Sequence, residues 1–233
     1  MSAPQLTVML THNDLTVKNA WELFEQCKDL PVMYWGFKEE PLPLDEMKAI
    51  FSYMKQKGKK TVLEVVCYDE ESSLRGARMA AECGVDFLMG TTFSDTVHDF
   101  CRTNRLNYLP FAGNVSQRPS ILDGNIEDML REARRYLEKG VYGIDLLGYR
   151  YTGNAEALIE RFVKELDAPV CVAGSINSYA RLDTMLRVCP WSFTIGSAFF
   201  EHCFGDDLPG QISRVYQYLK QSKPAGTEDT HAF

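Results

Sequence analysis

Phe193-Thr194-Ile195-Gly196-Ser197-Ala198-Phe199-Phe200 is an apolar run that breaks on a glycine-serine pair. A second such stretch precedes it, Pro169-Val170-Cys171-Val172-Ala173-Gly174-Ser175-Ile176-Asn177. Two adjacent glycine-containing turns at strand C-termini offer backbone N–H groups to one phosphate. Their small residues let the anion approach, and a helix N-terminus behind each turn adds a favourable dipole. In a (β/α)₈ barrel such a pair follows strands seven and eight, so the fold is decided by whether six further units come before it.

Six do. The apolar runs are Leu6-Thr7-Val8-Met9-Leu10-Thr11, Val32-Met33-Tyr34-Trp35-Gly36-Phe37, Thr61-Val62-Leu63-Glu64-Val65-Val66-Cys67-Tyr68, Val85-Asp86-Phe87-Leu88-Met89, residues 106–112, and Val141-Tyr142-Gly143-Ile144-Asp145-Leu146-Leu147. Helical patterns follow at about residues 17–30, 43–58, 73–84, 95–103, 126–139 and 155–166, and after the seventh run at 178–188. A short helix near 198–203 fits before a last one at about 208–221. Alternating βα units imply parallel strands with right-handed crossovers. The expected fold is α/β, a single (β/α)₈ TIM barrel over residues 1–222, with a polar, flexible tail at 223–233. An open doubly wound sheet is the alternative, and the extra short helix after the eighth run favours the barrel.

The bulk properties exclude several classes. A net charge of −7 argues against sequence-independent nucleic-acid binding, which needs a basic face. No apolar run approaches the roughly 18 to 20 residues of a membrane helix. The start, Met1-Ser2-Ala3-Pro4, does not read as a signal peptide. Seven cysteines are scattered without a CxxC or a zinc-like spacing, which suits free thiols in a cytoplasmic protein.

Chemistry in a barrel sits at the C-terminal ends of its strands. Glu64 and Asp145 lie within apolar runs, where an unpaired charge facing the helix layer would be costly; pointing into the barrel, either can act as a general acid or base. His12, Asn114 and Arg150 end strands and are candidates to position a substrate or stabilise an enediolate oxygen, His12 also for catalysis. Gly174, Ser175, Gly196 and Ser197 are the candidate phosphate ligands. Asp14 reads as the N-cap of the first helix. Lys38, beside Glu39 and Glu40, reads most simply as a solvated charge, with a substrate role as the alternative. Cys67 reads as inert packing. No metal set stands out, although Glu64, Asp69 and Asp145 could hold one Mg²⁺ through oxygen ligands.

Val85-Asp86-Phe87-Leu88-Met89-Gly90-Thr91-Thr92, the segment 143–152 ending Gly-Tyr-Arg-Tyr-Thr, Val170-Cys171-Val172-Ala173-Gly174-Ser175-Ile176-Asn177 and Thr194-Ile195-Gly196-Ser197-Ala198-Phe199 together resemble the ribulose-phosphate-binding barrel superfamily, and within it the N-acetylmannosamine-6-phosphate 2-epimerases. The resemblance covers about the last two-thirds of the chain. It implies a phosphorylated sugar as ligand and a homodimer as assembly. The epimerases carry a lysine ending the third strand and a glutamate in the seventh-strand turn, whereas Cys67 and Ala173 stand here. The Asp-x-Lys-x-x-Asp of hexulose-phosphate synthases also fails on Glu64-Val65-Val66-Cys67-Tyr68-Asp69, which keeps the acids and lacks the lysine.

The expected activity is therefore proton transfer next to a carbonyl on a small phosphorylated metabolite, by an isomerase, epimerase or carbon–carbon lyase that needs no cofactor. A Schiff-base aldolase using Lys38 is one alternative. A non-catalytic barrel that senses a phosphometabolite or scaffolds a partner is the other.

Overall fold

Eight parallel strands close into a barrel in the computed structural model, which describes residues 3–221. They are β1 (Gln5–Met9), β2 (Tyr34–Lys38), β3 (Lys60–Val65), β4 (Phe87–Thr92), β5 (Asn107–Phe111), β6 (Ile144–Leu146), β7 (Val170–Val172) and β8 (Ser192–Ile195). Each strand pairs with the next, and β8 returns to β1 through Leu6 opposite Phe193 and Val8 opposite Ile195. The fold is the single TIM barrel expected; the tail at 223–233 lies outside the described residues.

Helices follow the strands as α1 (Ala20–Cys27), α2 (Leu44–Gln56), α3 (Glu70–Cys83), α4 (Asp95–Thr103), α5 (Ile126–Glu138), α6 (Ala155–Glu165) and α7 (Tyr179–Val188). The short α8 (Ser197–Phe200) and the longer α9 (Leu208–Gln221) come after β8. Their starts follow local chemistry. Asp69, Ser94, Asn125, Asn154 and Ser178 each accept a backbone N–H in the first turn of α3 to α7. Thus α3 begins three residues before the expected Ser73, because Asp69 satisfies the Ser72 amide. In α1 the sequence expectation was long at both ends. Residues 11–16 fold back as a hairpin, Thr11–His12 against Leu15–Thr16, and leave Asn19 to precede the helix.

That hairpin turns on Asn13 and Asp14, both with positive φ (50° and 66°), a two-residue geometry that Asn and Asp tolerate better than most side chains. Asp14 is therefore not the helix cap that its position in the sequence suggested. A second hairpin, Asn114–Ser116 against Ile121–Asp123, follows β5. Both stand at the C-terminal end of the barrel and form part of its mouth.

Apolar side chains fill two regions. The larger core lies between the sheet and the helices, where for example Phe37 of β2 stacks on Phe51 of α2 at 4.1 Å. Burying one such ring contributes about 2 kcal/mol. The smaller core occupies the barrel interior and contains Val62, Phe87, Met89, Leu109 and Cys171, with Tyr34 and Trp191 packed against it. Tyr34, Phe87, Tyr142 and Trp191 form a cluster of tilted and edge-on rings with centroids 5.5 to 5.9 Å apart and close the N-terminal end of the barrel. The opposite end stays open.

Candidate functional site

A cavity of about 290 Å³ occupies the C-terminal mouth, walled by the ends of β1, β2 and β3 on one side and by the turns after β6, β7 and β8 on the other. This is the face on which barrels of this kind carry their chemistry.

Lys38, the last residue of β2, reaches the cavity floor and is only 7% exposed. Its backbone is clamped by the first hairpin: its N–H donates to Thr16 Oγ1 at 2.9 Å, and that hydroxyl donates to the Lys38 carbonyl at 2.8 Å. Its ammonium pairs with Asp14 and lies 3.5 Å from Glu64 Oε1 on the neighbouring strand. Burial disfavours the ammonium, but the carboxylates of Glu64 and then Asp14 outweigh it, and the Lys38 pKa stands above its usual value. The solvated-charge reading of Lys38 thus fails. The neighbours Glu39 and Glu40 that suggested it pair instead with Arg118.

Asp14 binds Lys38 with one oxygen and Arg118 Nε with the other, at 2.9 Å. Arg118 sits in the turn of the second hairpin, whose Pro119 and Ser120 line the cavity. Tyr68, beyond β3, ties down the same turn: its hydroxyl donates to the Gln117 carbonyl at 2.7 Å and lies 2.7 Å from Ser120 Oγ. Arg118, Ser120 and Tyr68 were not singled out from the sequence for this role. The only local signal was that residues 115–123 form the longest polar connection.

Glu64 lies on the cavity wall, as does Arg150 at the end of the 3₁₀ turn after β6. Arg150 is exposed and, among the described residues, its guanidinium has no hydrogen bond or ion pair. Asp145 sits deeper, fully buried within the barrel, and neither carboxylate oxygen has a hydrogen-bond partner among the described residues. Desolvation, reinforced by the charge of Glu64, pushes its pKa well above the usual carboxylate range, against weaker opposition from Lys38. The Gly90 amide also opposes the rise, although it lies outside hydrogen-bond geometry. Asp145 therefore lies below the cavity floor as a carboxyl whose surroundings favour the protonated form.

The two glycine turns face the same space. Gly174 has φ +116°, where a Cβ would strain the backbone and come 3.2 Å from the Tyr149 amide nitrogen. At Gly196 a Cβ would lie 2.4 Å from Thr11 Oγ1, so only glycine fits between β8 and the first hairpin. The Ser175 and Ser197 amides donate to no acceptor among the described residues and are available to a ligand. The guanidinium of Arg181, lying 4.4 Å over the Tyr149 ring, donates to the Ser175 carbonyl and holds the first turn from behind.

His12 and Asn114 are not brought to this cavity. The His12 ring stacks on Phe200 at 5.6 Å, and Asn114 lines a separate cleft of about 250 Å³ beside α5. Nor do Glu64, Asp69 and Asp145 converge, since Asp69 is engaged at the start of α3. Among the described residues, no three metal-ligating side chains cluster. Cys67 lies beyond β3, off the cavity wall, whereas Ala173 is on it.

No family model matches the chain, and no curated protein matches it in sequence. Solved structures do. The native KDPGal structure superposes with a TM-score of 0.67 at 12% identity, over 95% of this chain and 98% of that one. The phosphoribosylanthranilate isomerase from Thermotoga maritima gives 0.61 at 15% identity, over 93% and 98%. The N-acetylmannosamine-6-phosphate 2-epimerase from Clostridium perfringens gives 0.60 at 12%, over 92% and 93%. This chain shares their fold. Like them it is a closed (β/α)₈ barrel. Among the described residues, no helix is long and apolar enough to cross a membrane.

Proposed function

We propose that this protein moves a proton next to the carbonyl of a small sugar phosphate, as an isomerase or epimerase. The observation that carries the reading is the Lys38–Glu64 pair, 3.5 Å apart on the floor of a cavity whose other wall bears two glycine turns. The free amides of Ser175 and Ser197, with the unpaired guanidinium of Arg150, suit a phosphate. The volume lies at the low end for ligand pockets, which suits a compact substrate.

With the phosphate anchored there, the carbonyl end of the substrate reaches the floor. Glu64 acts as the general base that removes the α-proton, and the Lys38 ammonium stabilises the negative charge that develops on the carbonyl oxygen. Return of the proton to the neighbouring carbon, with the hydroxyl proton passing between the two oxygens of the enediol, completes an isomerisation, and return to the opposite face of the same carbon completes an epimerisation. Asp145 does not touch the substrate. Buried beneath Glu64, with its pKa raised by desolvation and then by the Glu64 charge, it disfavours a second anion there, and Lys38 opposes that rise.

The same geometry speaks against a Schiff base. A nucleophilic lysine must shed its proton near neutral pH, and Lys38 is held as an ammonium by two carboxylates.

The test is solvent exchange. The protein is incubated in D₂O with a panel of three- to six-carbon aldose and ketose phosphates, and loss of each α-proton signal is followed by NMR. Enzyme-dependent exchange with at least one compound, abolished in Glu64→Gln, is expected. Stabilisation by a sugar phosphate without exchange would replace the proposal with the non-catalytic sensor, and borohydride trapping at Lys38 would replace it with the aldolase.

A further inference from the structure

Two hairpins that come from opposite halves of the chain meet over the cavity through a single carboxylate. Asp14, in the turn of the first, is held by Arg118, in the turn of the second, 104 residues later. Arg118 is itself fixed by Glu39 at 3.1 Å and Glu40 at 2.7 Å, and Glu39 is in turn held by the Val66 amide at 3.1 Å. The result is a continuous line of alternating charge, Glu64–Lys38–Asp14–Arg118–Glu39, running from the cavity floor to its rim.

We propose that Asp14 is a positioning residue: anchored from behind by Arg118, it holds the Lys38 ammonium in place against Glu64.

The physical argument rests on how few ways Lys38 has to lie still. Its side chain has four rotatable bonds and would lose that freedom only against a fixed partner. Glu64 alone, at 3.5 Å, is a loose one. Asp14 is a rigid one, because the left-handed turn fixes its backbone and the Arg118 fork fixes its outer oxygen. The groups facing Lys38 are Asp14 from the first hairpin, Glu39 just beyond its own strand, Glu64 from β3 and Asp145 from β6, with Arg118 behind Asp14. Of these, Asp14 and Glu64 lie within ion-pair distance. Removing Asp14 therefore takes away the better fixed of the two. The inference leans on the proton-transfer reading only for its effect on turnover; the arrangement itself is open to measurement without a substrate.

That measurement is residue-resolved amine labelling. The folded protein is pulsed with acetic anhydride across pH 8 to 12, and acetylation of Lys38 is quantified by mass spectrometry relative to the exposed Lys164. In Asp14→Asn the Lys38 midpoint is expected to fall by at least about one pH unit, giving about tenfold more free amine at a given pH below the midpoint. Asp14→Gly, which suits the positive φ of that position, should move it the same way. Tyr68→Phe is the control, because it loosens the second hairpin without touching the charges. It should leave the midpoint in place. A mere opening of the cleft would raise the labelling plateau at an unchanged midpoint. An unchanged midpoint in Asp14→Asn, or an equal shift in Tyr68→Phe, overturns the proposal; if Asp14→Asn does not fold, Asp14→Gly carries the test. With a substrate in hand, Asp14→Asn should lower kcat about tenfold or more with KM little changed. Absence of exchange with every sugar phosphate would defeat the functional reading and leave the labelling result standing.

Discussion

Lys38, the last residue of β2, and Glu64, the last but one of β3, stand in direct register on adjacent parallel strands, so that the side chains of both point into the mouth with 3.5 Å between ammonium and carboxylate. Each removes part of the cost of burying the other, and neither is comfortable alone.

Lys38→Met should therefore destabilise the fold by about 3 kcal/mol, because it strands the Glu64 and Asp14 charges in a poorly solvated site. The double variant Lys38→Met/Glu64→Gln should recover part of that loss in urea denaturation. The sign with pH follows from the raised Lys38 pKa. The contribution is complete below the ordinary lysine range near 10.4 and is lost as pH climbs through the higher folded value. Wild type and Lys38→Met should thus converge in stability only at strongly alkaline pH. A constant difference up to pH 12 would contradict this.

Arg150→Ala separates binding from folding. The side chain is exposed and without a partner among the described residues, so the melting temperature should hold to within the equivalent of about 0.5 kcal/mol. Affinity for inorganic phosphate, by calorimetry, should fall about tenfold to a hundredfold with loss of a charge-assisted contact. Unchanged phosphate affinity would remove Arg150 from the site.

The glycine turns predict the reverse pattern. Gly174→Ala should cost about 1 to 2 kcal/mol from its backbone conformation alone, and Gly196→Ala more, through the collision with Thr11. In a thermal-shift assay, phosphate or a sugar phosphate at about 100 times its Kd stabilises a binding protein by about 2.7 kcal/mol. That increment should appear in wild type and shrink in both variants.

Asp145→Asn should stabilise the protein at neutral pH. A carboxyl whose folded pKa is raised binds its proton more tightly when folded. Stability therefore falls as pH rises from the ordinary Asp value near 3.9 towards the folded one. The variant does not carry that loss, so its advantage should be present at pH 8 and vanish near pH 4. Equal stability of the two proteins at both pH values would show that Asp145 titrates normally.

The barrel was legible because eight apolar runs alternate with helical patterns, and helices of ten residues or more announce themselves through period and caps. The hairpins were not. Thr11–His12 and Leu15–Thr16 are two residues each, too short for any alternation to show. Asp14 then looked like a cap because an acid a few residues before a helix commonly is one. Lys38 looked solvated because its sequence neighbours are Glu39 and Glu40, whereas the partners that bury it are 24 and 26 residues away. Glu64 and Asp145 were visible as charges inside apolar runs. That Asp145 lies under the floor and not on it depends on the depth of each strand in the barrel, which no local pattern encodes.

The aromatic cluster at the closed end also divides the molecule optically. The three tryptophans are Trp21 on α1, Trp35 packed on Phe24, and Trp191 in the cluster, and none lines the mouth. Intrinsic fluorescence will therefore follow unfolding of the barrel and its helix layer while staying nearly blind to what enters the opposite end. A tryptophan introduced at Leu147 or Ile176, both on the cavity wall, would give that end a signal of its own.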